Sequence, residues 1–223
     1  QVLGEQPSEP MKPSSIDIAP TEDLRPPPRS LGDSVARGMM YAIHSGAKVI
    51  TFSMGWPAGQ DSQIMRDTIA EAQRRGIIIV AAAGNDSTRA LLRPCTYPGV
   101  ICVGATGPDG ALAHFSNYGS GVDIAAPGVN ILSTFPEGIR PVRFRSPLGY
   151  ESLSETSQAT PFVTGAVADL LARGVPASEI MPRLVLGSRP LQQSLNLIEN
   201  LIGGQKISVN TDAAPRYLLA GQL

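Results

Sequence analysis

From about residue 31 onward the apolar positions alternate between helical and extended spacing. Val35, Met39, Ile43 and Ala47 recur on one helical face behind Asp33 or Ser34, either of which can cap, so a helix is predicted to about Ser45. KVITFSMG (48–55) reads as a buried strand ending at a glycine. A second helix is predicted over about 62–75, with its charges on one side and Gly76 closing it. GIIIVAAAGN (76–85) is a near-continuous apolar run, the pattern of a parallel strand covered on both faces. GVICVGAT (99–106) is a third strand, followed by the turn Gly107-Pro108-Asp109-Gly110. VDIAAPG (122–128) and VNILSTF (129–135) are shorter extended pieces. An apolar helix runs from about Thr156 to Leu171, where Gly174 and Pro176 end it, and 177–186 and 192–201 are two further helical candidates. Strand, helix, strand in succession is a crossover unit, so the fold class is α/β with a mostly parallel sheet flanked by helices.

Composition narrows this picture. The 223 residues are 42% hydrophobic and 17% charged, enough to build one sizeable core. A net charge of −1 argues against a nucleic-acid or anionic-membrane partner. No run approaches the roughly 18 apolar residues of a membrane-spanning helix, and QVLGEQPSEP at the start has no signal-peptide pattern. Residues 1–30 hold seven prolines and no periodicity, reading as a proline-rich loop or insertion, while 31–223 form the packed part. Cys95 and Cys102 are too few for a disulfide framework or a four-ligand zinc site. With Cys102 inside an apolar run, both are expected as free, buried thiols.

Three segments carry candidate chemistry. In Glu155-Thr156-Ser157-Gln158-Ala159-Thr160-Pro161 a serine opens a helix, beside backbone N–H groups able to stabilise an oxyanion. Pro161 is expected in the first turn, where its missing N–H is harmless. Most serines so placed are plain N-terminal capping residues. In Ala81-Ala82-Ala83-Gly84-Asn85-Asp86 the strand ends where open α/β sheets bind ligands, and Asn85 can offer its amide as an oxyanion donor or serve as a left-handed turn residue. Asn85-Asp86-Ser87 also spells a glycosylation acceptor, set aside because a glycan there would block the strand edge. Ser53-Met54-Gly55 ends another strand, where a glycine lets an extended peptide pair with the backbone, or simply makes a tight turn.

Together these segments resemble the subtilisin-like serine peptidases, the subtilases. Thr156, Ser157, Ala159, Pro161, Val163 and Gly165 fit that family's nucleophile motif. Ala82, Ala83, Gly84 and Asn85 fit its oxyanion strand, and Ser53 and Gly55 its substrate-pairing strand. YPGVICVGAT, HFSNYG and VDIAAPG also look like family segments in family order, and Gly221-Gln222-Leu223 looks like its closing piece. The resemblance implies a subtilisin-like fold, incomplete at its N-terminal side, and a serine endopeptidase acting on polypeptides. Ser157 and Asn85 are implied as catalytic, and Ser53, Gly55, Ala82 and Gly84 as substrate-binding. A secreted or extracellular location is implied. No cofactor is implied beyond a weak calcium site at Asp123 with the carbonyls of Cys95, Tyr97 and Val100.

The family's Asp-Ser/Thr-Gly and His-Gly-Thr-His motifs do not occur in the 223 residues. His44 lies in a helix segment, and His114 in a structural loop of the family. The resemblance therefore reads as a C-terminal part whose Asp and His come from an upstream segment or partner chain, the chain alone being inactive and prone to associate. The alternative is a degenerate, non-catalytic module that binds peptides or a partner. Glu155 stands where the family has glycine, implying an unusual backbone angle or space for substrate there, and its charge would oppose a nearby oxyanion. Gly55, Ala82 and Gly84, which the resemblance implies as lining the primary specificity pocket, are all small, so that pocket is expected to admit a large apolar or aromatic side chain.

Overall fold

The computed structural model of the protein describes residues 31–135, 149–191 and 216–217. The proline-rich segment 1–30 and the helix expected at 192–201 lie outside the described residues. In chain order the elements are α1 (Leu31–His44), β1 (Val49–Phe52), α2 (Gln63–Arg74), β2 (Ile78–Ala82), β3 (Val100–Thr106), β4 (Ile124–Pro127), β5 (Ile131–Thr134), β6 (Tyr150–Leu153), α3 (Thr156–Ala172), α4 (Ile180–Leu186), β7 (Arg189–Pro190) and β8 (Arg216–Tyr217). The main sheet has the order β1-β2-β3-β4-β8-β7, parallel except where β7 meets β8. β5 and β6 form a separate antiparallel pair. The sequence pattern missed β6, β7 and β8: each has only two to four residues, too few to show a period.

Alternation along the central strands explains the layers. Ile79, Ala81 and Cys102 face α1 and α2, meeting Ala36, Met39, Ile43, Met65 and Ile69. Ile78, Val80, Ile101 and Val103 face α3 and α4, meeting Val163, Val167, Ile180 and Leu184. Every residue of β2 and β3 is buried, as strands covered on both faces require. α2 begins where Ser62 accepts the Met65 N–H, and its interior Thr68 hydroxyl returns to the Ile64 carbonyl. Among the described residues β1 pairs only with β2 and so forms the sheet edge.

Between β2 and β3 the chain is clamped rather than free. Trp56 and Arg93 exchange both backbone hydrogen bonds, at 2.9 and 2.8 Å. The Asp61 carboxylate meets Arg66 at 2.6 Å, accepts the Tyr97 hydroxyl, and lies 3.6 Å from Arg93, whose guanidinium sits over the Tyr97 ring. Burial would raise the Asp61 pKa, but the hydrogen bonds from Tyr97 and Arg66 and the two arginine charges hold it below the ordinary carboxylate value. Burial, and then the Asp61 hydrogen bond, push the Tyr97 phenol up.

The free-thiol expectation is overturned. Cys95 and Cys102 form a disulfide with their Cα atoms 4.8 Å apart. A local sequence separation of seven shows no hint of this, because only the turn at 97–100 folds the pair together.

Two outcomes follow. Mass mapping under denaturing, non-reducing conditions should find both cysteines protected, and replacing both by alanine should lower stability by about 2.5 kcal/mol, from the loop entropy of so short a closure. Because the Asp61 pKa is depressed on folding, its contribution is fully present above the unfolded carboxylate value of about 4 and is lost as pH falls through the folded value. Urea melts should therefore show the stability gap between wild type and Asp61→Asn constant from pH 7 to about 5 and shrinking below about 4.

Candidate active site

The site forms where the carboxyl ends of β1 and β2 meet the first turn of α3. Thr156, fully buried, is the joint. Its backbone N–H and its hydroxyl both donate to Asn85 Oδ1, at 2.8 and 2.9 Å, and the hydroxyl oxygen accepts the Gly84 N–H at 3.3 Å. Asn85 Oδ1 is thus fixed, while its Nδ2 bonds no group among the described residues. The left-handed positions nearby are Gly84 (φ 107°) and Ser87 (φ 54°), so Asn85 is not a left-handed turn residue.

Ser157 is partly exposed at the second position of α3, and its Oγ donates to the Ser53 carbonyl at 3.1 Å. The Ser53 hydroxyl in return donates to the Ser157 carbonyl at 2.9 Å. Pro161 explains why that carbonyl is free. The proline lies in the second turn, not the first as the sequence implied, and lacks the N–H that would otherwise bond back to Ser157 four residues earlier. The helix defect therefore supplies the acceptor that ties α3 to the end of β1. Among the described residues the Ser157 N–H bonds nothing, so two uncommitted donors, this N–H and Asn85 Nδ2, lie at the same end of the helix.

Glu155 is exposed and extended (φ −159°, ψ 167°), a conformation open to any residue. The expectation of an unusual backbone angle there does not hold. Its charge stands beside the helix end. Ala82 is buried at the end of β2. Gly84 spends its N–H on Thr156 and its carbonyl on the Asn117 N–H. Gly55 has its neighbour Trp56 bonded to Arg93, whereas its own N–H and carbonyl bond nothing among the described residues.

The other expected residues lie apart. His44 ends α1 and acts electrostatically on Glu71 of α2. His114 stacks edge-on against Phe115, and its carbonyl accepts the Ser87 hydroxyl. Neither touches Ser157. The Asp123 carboxylate accepts the Cys102 N–H at 2.8 Å, capping the entry to β4; burial raises its pKa and that hydrogen bond opposes the rise.

Sequence reasoning missed Asn117 as a site residue, although it named the HFSNYG segment. Fully buried, Asn117 donates to the Ala83 and Ala90 carbonyls and accepts from the Asp86 and Thr88 N–H groups. It bridges both sides of the loop that carries Asn85. A Cβ at Gly84 would run into its Nδ2, so the glycine is needed on contact as well as on φ.

The subtilase family model matches residues 15–183, and the chain belongs to that family. It is 40% identical over 147 residues to thermitase of Thermoactinomyces vulgaris, covering 66% of this chain and 48% of that protein. It is 38% identical over 135 residues to Subtilisin BL of Lederbergia lenta, covering 60% and 46%. The chain thus spans about half the length of these curated relatives. Among solved structures it is similar to the patellamide maturation protease PatA, with a TM-score of 0.65, 28% identity, and 84% of this chain and 65% of that one covered. The prenylagaramide maturation protease PagA gives 0.63 and 29%, covering 73% and 59%. The parallel sheet flanked by helices is the α/β arrangement that the sequence pattern predicted and the subtilisin-like fold that the family resemblance implied.

Asn117→Ala should lower stability by about 2–4 kcal/mol, because it strands several backbone groups at once. Chemical denaturation measures this, and a loss under about 0.5 kcal/mol would show the brace to be dispensable.

Proposed function

We propose that the chain supplies the nucleophile and oxyanion donors of a serine endopeptidase acting on polypeptides. The observation that carries this is Asn85, held by Thr156 through its oxygen so that Nδ2 remains available next to Ser157. In this reading Ser157 Oγ attacks the peptide carbonyl while an imidazole from another segment takes its proton. Asn85 Nδ2 and the Ser157 N–H stabilise the oxyanion. The amine leaves with the proton, and water then releases the acyl group. Ser53, Gly55, Ala82 and Gly84 line the track of the substrate.

The histidine and its aspartate belong in this reading to an upstream segment or partner chain. Two features support that: the edge of β1, unpaired among the described residues, and the exposed small residues Pro161, Gly165, Ala168 and Ala172 along one side of α3. The disulfide supports an oxidising, extracellular setting. The Glu155 charge beside the helix end favours a second reading, a peptide-binding module without turnover.

Fluorophosphonate labelling tests the proposal. The 223-residue chain alone should label negligibly, since a serine without a base is a weak nucleophile. Supplied with a segment bearing both missing motifs, it should label at Ser157. Asn85→Ala should then slow peptide turnover by about a hundredfold or more, the usual effect of losing one oxyanion donor, for which subtilisin is the reference case. Rapid labelling of the chain alone would overturn the need for an external base. No labelling even of the supplemented protein would favour the binding module.

A further inference from the structure

The geometry points to Leu92 as a plug in the primary specificity pocket, restricting the residue before the scissile bond to a small side chain. This inference rests on the peptidase reading above and names its substrate class. It also reverses the expectation of an open pocket drawn from the small residues Gly55, Ala82 and Gly84.

The two glycines that bound the candidate pocket meet the same methyl group. A Cβ at Gly55 would lie 2.8 Å from Leu92 Cβ and 3.1 Å from its Cδ1, and a Cβ at Gly84 would lie 3.4 Å from that same Cδ1. The Leu92 side chain therefore fills the space between the end of β1 and the end of β2, where the absence of side chains would otherwise leave room. Leu92 is not there to complete the core. Its neighbour Leu91 packs against the α1/α2 core, whereas Leu92 belongs to none of the hydrophobic clusters and is half-buried.

The backbone that carries the plug is held in place. The next residue, Arg93, exchanges two backbone hydrogen bonds with Trp56, and the Asp61–Tyr97 clamp holds the segment just beyond. Two residues earlier, the Ala90 carbonyl accepts Asn117 Nδ2. With its backbone held on both sides, an incoming large side chain would have to displace a leucine packed against glycine backbone. A glycine or alanine side chain would not.

Peptide binding separates the possibilities without requiring turnover. Amide-capped tetrapeptides differing only in a terminal Ala or Phe are titrated by NMR into the protein and into Leu92→Ala. The wild type should bind the Ala peptide about tenfold or more tightly than the Phe peptide, and Leu92→Ala should remove or invert that order. Leu92→Ala should keep its cooperative melt, because the side chain lies outside the core; the wild-type ratio decides the matter even if it does not. A wild type that prefers Phe, or a Leu92→Ala variant that folds and keeps the wild-type order, overturns the plug and leaves the peptidase reading intact. Failure of both proteins to bind either peptide overturns the peptide-site reading, and the plug with it.

Discussion

The hydroxyl of Thr156 makes the contact on which the site depends. It lies at the first position of α3, buried, with one hydrogen bond to Asn85 Oδ1 and another from the Gly84 N–H. A buried hydroxyl with no water to replace its partners makes both bonds costly to break. Through it, the start of the helix and the end of β2 are held in one register. Everything else at the site inherits that register: the free Asn85 amide, the position of Ser157, and the return of the chain past Asn117.

Pro161 makes the matching connection to β1. A helix normally satisfies its own carbonyls, and this one leaves the Ser157 carbonyl open because the residue four positions later has no N–H. Ser53 fills the vacancy with its hydroxyl, and Ser157 returns a bond to the Ser53 carbonyl. The reciprocal pair sets the hydroxyl of Ser157 at the carboxyl end of β1. A proline that looks like a helix fault in isolation is a connector in the fold.

The segment between β2 and β3 has a different logic. It is irregular, yet the disulfide, the Trp56–Arg93 bridge and the Asp61–Tyr97 cluster fasten it from three directions. Irregular chain needs such ties because it has no ladder of its own to satisfy its backbone groups. The consequence is that Leu92 occupies a defined place between two glycines, so a loop residue sets the shape of a pocket whose walls are strand ends.

The alternating and continuous apolar runs were enough to place α1, α2, β2, β3 and α3 within a few residues, because each buries a face whose period is written locally. That Ser157, Asn85, Ser53 and Gly84 would come together was legible as well, since strand ends and a helix start converge at one edge of this class of sheet. The roles of Asn117 and Leu92 were not legible. Asn117 takes its meaning from partners 27 to 34 residues away, and Leu92 from two glycines on different strand ends, and no local period encodes either arrangement. The same holds for the disulfide, which depended on the turn between its cysteines, and for β7 and β8, whose pairing supplies a regularity that two residues cannot show. Local sequence determined which segments must be helix or strand and where polar groups would cluster. Tertiary packing alone decided which of those groups meet, because hydrogen bonds and van der Waals contacts act over a few ångströms and only the folded chain brings distant residues that close.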